Sequence, residues 1–83
     1  MKVQVRYFAA LREALGASES VDVPAGATLG SLRDQLMARS EKHAAALART
    51  RALRCALNQV MADESAAVAE GAEVAYFPPV TGG

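Results

Sequence analysis

The chain has 83 residues, enough for one small domain with a single core and too few for a second. Hydrophobic residues make up 52%, and nine basic side chains balance nine acidic ones, so the composition carries neither the basic footprint of a nucleic-acid binder nor an acidic disordered tail. The lone cysteine, Cys55, cannot form an internal disulfide and has no CxxC or histidine neighbour for a metal site; packing alone must hold the fold.

The opening MKVQVRYFAALREALG alternates polar with apolar residues where a signal peptide would be continuously apolar, and no stretch is long enough to span a bilayer. A cytoplasmic location is the expectation, without nucleic acid or membrane as a partner. From Lys2 to Phe8 the alternation predicts a strand, with Val3, Val5 and Tyr7 on one face and Lys2, Gln4 and Arg6 on the other. Ala9 to Leu15 fits a short helix ending at Gly16, a residue suited to the left-handed position after a helix. Ser18 to Val23 alternates again until Pro24-Ala25-Gly26 breaks it.

Thr28 is placed to cap the main helix, in which Leu29, Leu32 and Leu36 recur at helical spacing and face a sheet; Ser31 stands where a full capping box would carry Glu or Gln. Ser40 to Ala48 is expected to hold a second short helix. Leu53, Cys55 and Leu57 then alternate as a strand, and Asn58-Gln59 turns the chain into Val60-Met61-Ala62. Ala66 to Val68 carries no readable period. The last strand, Glu73 to Phe77, places Val74 and Tyr76 on one face and Ala75 and Phe77 on the other. Strand, strand, helix, strand, strand is the order of an α+β domain in which one helix covers a mixed sheet. Pro78 and Pro79 cannot donate backbone hydrogen bonds, so pairing should stop there and Val80-Thr81-Gly82-Gly83 should leave extended.

These residues bear a specific resemblance. "RYFAALREALG" near the start, "ALNQ" at Ala56 to Gln59 and above all "EVAYFPPVTGG" from Glu73 to Gly83 resemble the small subunits of molybdopterin synthase, ubiquitin-like sulfur carriers of molybdenum cofactor biosynthesis. The likeness covers most of the chain. It departs at Glu70-Gly71-Ala72-Glu73, where the family reads Asp-Gly-Asp-Glu; the difference falls on a turn, away from the terminus.

The resemblance implies a β-grasp fold for residues 1–77, followed by a diglycine tail over residues 78–83. It also implies that the Gly83 carboxylate, with Gly82 beside it, is the reacting group. An adenylyltransferase of the ubiquitin-activating kind joins that carboxylate to AMP from ATP, and a sulfur donor displaces AMP to leave a thiocarboxylate. The large subunit then holds the tail while sulfur passes to cyclic pyranopterin monophosphate, in an expected heterotetramer. The domain itself holds no permanent cofactor or metal in this scheme and acts as a cosubstrate, and nothing in the sequence marks a catalytic triad or ligand set.

Physical chemistry accounts for the tail without the family. A carboxylate must reach deep into a partner's channel, where glycine's missing Cβ permits close approach and a side chain at Gly82 or Gly83 would clash. Prolines restrict the tail before binding as well as after, reducing the entropy lost on insertion. The partner-binding candidates are Phe77, Pro78, Pro79, Val80, Thr81, Phe8 and Arg12. Phe77 is either a core aromatic or, as its strand parity favours, an apolar docking residue whose patch Phe8 extends. Arg12 is either a solvated helix cation or a partner for an acidic residue. Cys55 reads as buried and inert, and His43 as a surface residue. Two other functions share this architecture: carriage of sulfur for thiazole or cysteine synthesis, and ubiquitin-like conjugation to lysines. A β-grasp interaction domain with no activated terminus is the remaining possibility, in which Gly83 would be dispensable.

Overall fold

The computed structural model describes residues 1–79; Val80, Thr81, Gly82 and Gly83, on which the sequence places the reactive end, lie outside the described residues. The elements run β1 (Lys2–Tyr7), α1 (Ala10–Leu15), β2 (Ser18–Asp22), α2 (Leu29–Met37), α3 (Glu41–Ala46), β3 (Arg54–Leu57), β4 (Val60–Ala62) and β5 (Glu73–Phe77). They build one mixed sheet of order β2-β1-β5-β3-β4. β1 and β5 pair in parallel at its centre, while the β1–β2, β3–β5 and β3–β4 pairs are antiparallel. A parallel pair needs a long crossover, and the helices lie in the chain between β1 and β5. This is the expected β-grasp arrangement. None of the described helices is long and apolar enough to cross a membrane.

Strand parity fixes which face is the core. Val3, Val5 and Tyr7 of β1 and Val74 and Tyr76 of β5 are buried together with Leu29, Leu32 and Leu36 of α2 and Leu11 of α1. The register sets Val5 opposite Val74, and Tyr7 opposite Tyr76, so β-branched and aromatic pairs meet across the central strands. Buried Tyr76 donates its hydroxyl to the Leu29 carbonyl at 2.6 Å, joining the sheet to the first turn of α2. Burial raises the pKa of both tyrosines far above the ordinary phenol range, and for Tyr7 the bonded Glu19 carboxylate adds to it.

At the start of α2, serine completes the capping box. The Thr28 backbone N–H donates to Ser31 Oγ at 2.9 Å and the Ser31 N–H donates to Thr28 Oγ1 at 3.1 Å. A hydroxyl one carbon from the backbone reaches as well as the longer Glu or Gln in this geometry. The segment without a readable period, Ala66 to Val68, and Glu64 just before it are stitched to the same turn: Leu29 N–H donates to Ala66 O at 3.0 Å and Gly30 N–H to Glu64 O at 2.8 Å. The amides that a helix start leaves open are thereby paired with a neighbouring loop. Gly30 permits this approach, since a Cβ there would lie 3.2 Å from the Glu64 carbonyl oxygen.

Two polar clusters hold the helices down. Buried Arg33 donates Nε to Leu47 O at 2.8 Å, Nη2 to Ala48 O at 2.7 Å and to Arg51 O at 3.2 Å, and Nη1 to Glu64 Oε2 at 2.9 Å. Glu64 also receives Arg49, which pairs with Asp34 at 2.8 Å. In the second cluster, Glu19 of β2 accepts the Tyr7 hydroxyl at 2.7 Å and meets His43 Nε2 at 2.8 Å, while Arg39 approaches at 3.5 Å. His43 is therefore not the surface residue expected from its alanine-rich helix. It is half-buried, with Nδ1 2.7 Å from the Oγ of Ser40, which caps α3.

Both carboxylates titrate below their ordinary value. At Glu19 burial opposes ionisation, but the hydrogen bonds from His43 and Tyr7 together outweigh it. At Glu64 the bond from Arg49 leads and outweighs burial. A depressed folded-state value means that the unfolded chain takes up protons first as the pH falls. The contribution of these groups is complete above the ordinary value of 4.5 and is lost as the pH drops through their lower folded values. Urea midpoints should therefore fall steadily from pH 5 to pH 2.5, and Glu19→Gln or Glu64→Gln should flatten that fall. An unchanged slope in both variants would show that other carboxylates govern acid unfolding.

Candidate functional site

The sheet has one face under the helices and one without them. On the second face, alternation and register bring together side chains from both ends of the chain. Phe8 follows β1 and Phe77 ends β5, and their rings meet edge to face, with centroids 6.4 Å apart at 89°. Phe8 is 41% exposed, whereas Phe77 is half-buried beneath that contact. The two thus form the shared patch expected from strand parity, on the face opposite the core. Backbone geometry helps to keep Phe8 outward: the next residue, Ala9, has φ 55°, and the chain reverses there into α1. The Arg6 guanidinium lies 5.7 Å from the centre of the Phe8 ring and 3.8 Å from Glu73.

Across the β5–β3 pair, Phe77 stands opposite Arg54 and Ala75 opposite Ala56. Met61 of β4 stands opposite Ala56 and is 53% exposed. Small residues occupy the middle of this face, with the aromatic pair at the end of β5. Pro78 and Pro79 follow Phe77 outside the strand, as expected from their missing N–H groups, and both are half-buried. Pro79 borders a hollow with Arg54, Met61 and Asp63. Arg12 is exposed on α1 and forms no ion pair among the described residues. Val80, Thr81, Gly82 and Gly83 fall outside the described residues.

Arg6, Arg54 and Met61 were not singled out by the sequence reading. Strand parity was the signal for Arg6, but only the β3–β5 register shows that Arg54 neighbours Phe77. The thiol of Cys55 is buried and its Sγ lies 3.3 Å from the Ala62 carbonyl. Burial, reinforced by Glu64, pushes its pKa up and keeps it a thiol, which suits an inert side chain rather than a sulfur nucleophile. Among the described residues, no group of three or more His, Cys, Asp or Glu side chains is arranged to hold a metal ion. This surface presents apolar area and guanidinium groups beside Pro78 and Pro79.

Comparison with known proteins agrees with that geometry. The ThiS family matches residues 5–83. The molybdopterin synthase sulfur carrier subunit of Mycobacterium tuberculosis is 38% identical over 85 residues, covering 100% of this chain and 99% of that protein. The crystal structure of SAMP1 from Haloferax volcanii superposes with a TM-score of 0.79 at 32% identity, with 100% of each chain covered. A protein–protein complex of subunits 1 and 2 of molybdopterin-converting factor from Helicobacter pylori gives a TM-score of 0.69 at 25% identity, again over 100% of both chains. With an end-to-end sequence match and a shared ubiquitin-like fold, the chain belongs to the ThiS family.

Proposed function

We propose that this chain is the sulfur carrier subunit of molybdopterin synthase, working in molybdenum cofactor biosynthesis. The observation that carries the reading is the end-to-end similarity to curated carrier subunits from three bacteria. The edge-to-face contact of exposed Phe8 with half-buried Phe77 at the exit of β5 supports it, since a carrier must be held while its tail reaches into an enzyme. In this reading residues 1–77 are the gripped body and residues 78–83 the inserted tail.

The chemistry takes place at Gly83. An adenylyltransferase joins the terminal carboxylate to AMP and releases pyrophosphate from ATP, which converts a poor electrophile into an acyl group with a good leaving group. A persulfide donor attacks that carbonyl through its outer sulfur and AMP departs, leaving an acyl disulfide; a thiol reductant then cleaves the S–S bond, taking the donor sulfur into a disulfide and releasing the thiocarboxylate. Its sulfur is ionised at neutral pH and strongly nucleophilic. In the active site of the large subunit the sulfur attacks cyclic pyranopterin monophosphate to give a thioester, and water cleaves its acyl–sulfur bond, leaving the sulfur on the pterin and the terminus as a carboxylate. Two charged carriers serve one dithiolene. The complex of subunits 1 and 2 from Helicobacter pylori supports a large-subunit partner, and the expected assembly is a heterotetramer. The chain supplies the sulfur of a sulfurtransferase, while proton transfer and anion binding fall to the large subunit.

A second reading is favoured by one likeness: a similar solved structure is described as small archaeal modifier protein 1, so attachment of Gly83 to lysines is the competing use of the same terminus. Intact mass spectrometry after incubation with the activating enzyme, ATP and a sulfur donor separates them. The expected result is a gain equal to one oxygen exchanged for sulfur, absent when Gly83 is deleted. An unchanged mass, with an activating enzyme proved competent on another carrier, would overturn the carrier reading. Conjugates that survive denaturant and reductant would support the modifier.

A further inference from the structure

Phe8, Phe77 and Arg54 form a row across three strands on the helix-free face, and Arg6 covers Phe8 from the adjoining row. Arg54 is exposed and forms no ion pair among the described residues; Asp63 borders the same hollow without pairing with it. Among the described residues the ion pair of Arg6 is the long contact to Glu73, between side chains that are 48% and 34% exposed, so solvent screens it. A protein surface that covers the aromatic pair must also strip water from the arginine beside it. Left without an acceptor, a desolvated guanidinium opposes association; paired with a carboxylate, it sets the register and speeds the encounter.

We propose that Arg54, assisted by Arg6, is a specificity determinant that requires a carboxylate on the partner surface closing over Phe8 and Phe77. The proposal rests on the carrier reading and names that surface as part of the large subunit. The aromatic rings supply the buried apolar area, and the guanidinium groups at its rim reject surfaces without acidic groups. This sorting does not depend on the tail, so carriers with similar tails are separated before insertion.

The test measures equilibrium and stopped-flow binding of the full-length chain to the large subunit of molybdopterin synthase from the same organism, at low and high salt. Arg54→Glu should weaken binding by about tenfold or more, mainly through slower association, and Arg54→Gln by less. Salt should weaken the unmodified chain more than Arg54→Gln, and melting temperatures should agree, because the side chain is exposed. Equal losses in the two variants with no change in salt dependence would assign Arg54 a packing role and overturn the proposal, as would binding within about twofold for Arg54→Glu. Failure of the unmodified chain to bind would instead overturn the carrier reading, a distinguishable outcome.

Discussion

Replacing Arg33 by alanine should cost about 3–5 kcal/mol of folding stability, the range typical of a buried charge-assisted cluster that loses one partner. The side chain is only 3% exposed, and its guanidinium is the shared donor for carbonyls at Leu47, Ala48 and Arg51 and for the Glu64 carboxylate. Those carbonyls lie in the stretch that leads from α3 into β3, a region with little regular pairing of its own. Removing the donor leaves them facing an unfilled space. For a domain of this size each kcal/mol shifts the melting temperature by roughly 4–8 °C, so the loss should be large in a thermal scan. Arg33→Lys should recover only part of it, since an ammonium cannot present the planar fork that reaches four acceptors. Glu64→Gln should be milder, because that carboxylate is partly exposed. A loss below about 1 kcal/mol for Arg33→Ala would mean that water replaces the guanidinium without penalty.

Leu36→Ala should cost about 2–5 kcal/mol, set by the lost burial and by how far the surroundings close the cavity. Leu36 is fully buried on α2 against the sheet, with Leu29 and Leu32 on the same helical stripe. Met61→Ala provides the contrast. Its side chain is 53% exposed on the helix-free face, and its truncation should change stability by no more than about 0.5 kcal/mol. Chemical denaturation of the pair tests which face is the core. Similar losses in both would show that the outer face packs against something in the isolated protein.

Much of the architecture was legible because it depends on local period. Val3, Val5 and Tyr7 recur at intervals of two, and Leu29, Leu32 and Leu36 at helical spacing, so the same hydrophobic demand that selects each element also selects its buried face. The Asn58-Gln59 turn was legible for a different reason. Both residues take left-handed φ values, 50° and 69°, as a two-residue hairpin between strands of right-handed twist requires. The apolar pairing of Phe8 with Phe77 followed from parity once both strands were recognised.

Local pattern and composition set the alternation of strands and helices, the sidedness of each, the absence of an internal disulfide, and the Phe-Pro-Pro-Val-Thr-Gly-Gly pattern that carries the family likeness. The partners of the polar groups, by contrast, came from how the segments pack together. Nothing in the local pattern marks Arg33, His43 reads as a surface residue, and Ala66 to Val68 has no readable period. Yet the first gathers carbonyls from residues 47–51, the second spans from α3 to Glu19, and the third pairs with the start of α2. Arg54 likewise became a neighbour of Phe77 only through the β3–β5 register. Apolar burial repeats along the chain and leaves a periodic trace. A hydrogen bond or ion pair between distant segments depends on how those segments are brought together, and that leaves no trace in either segment alone.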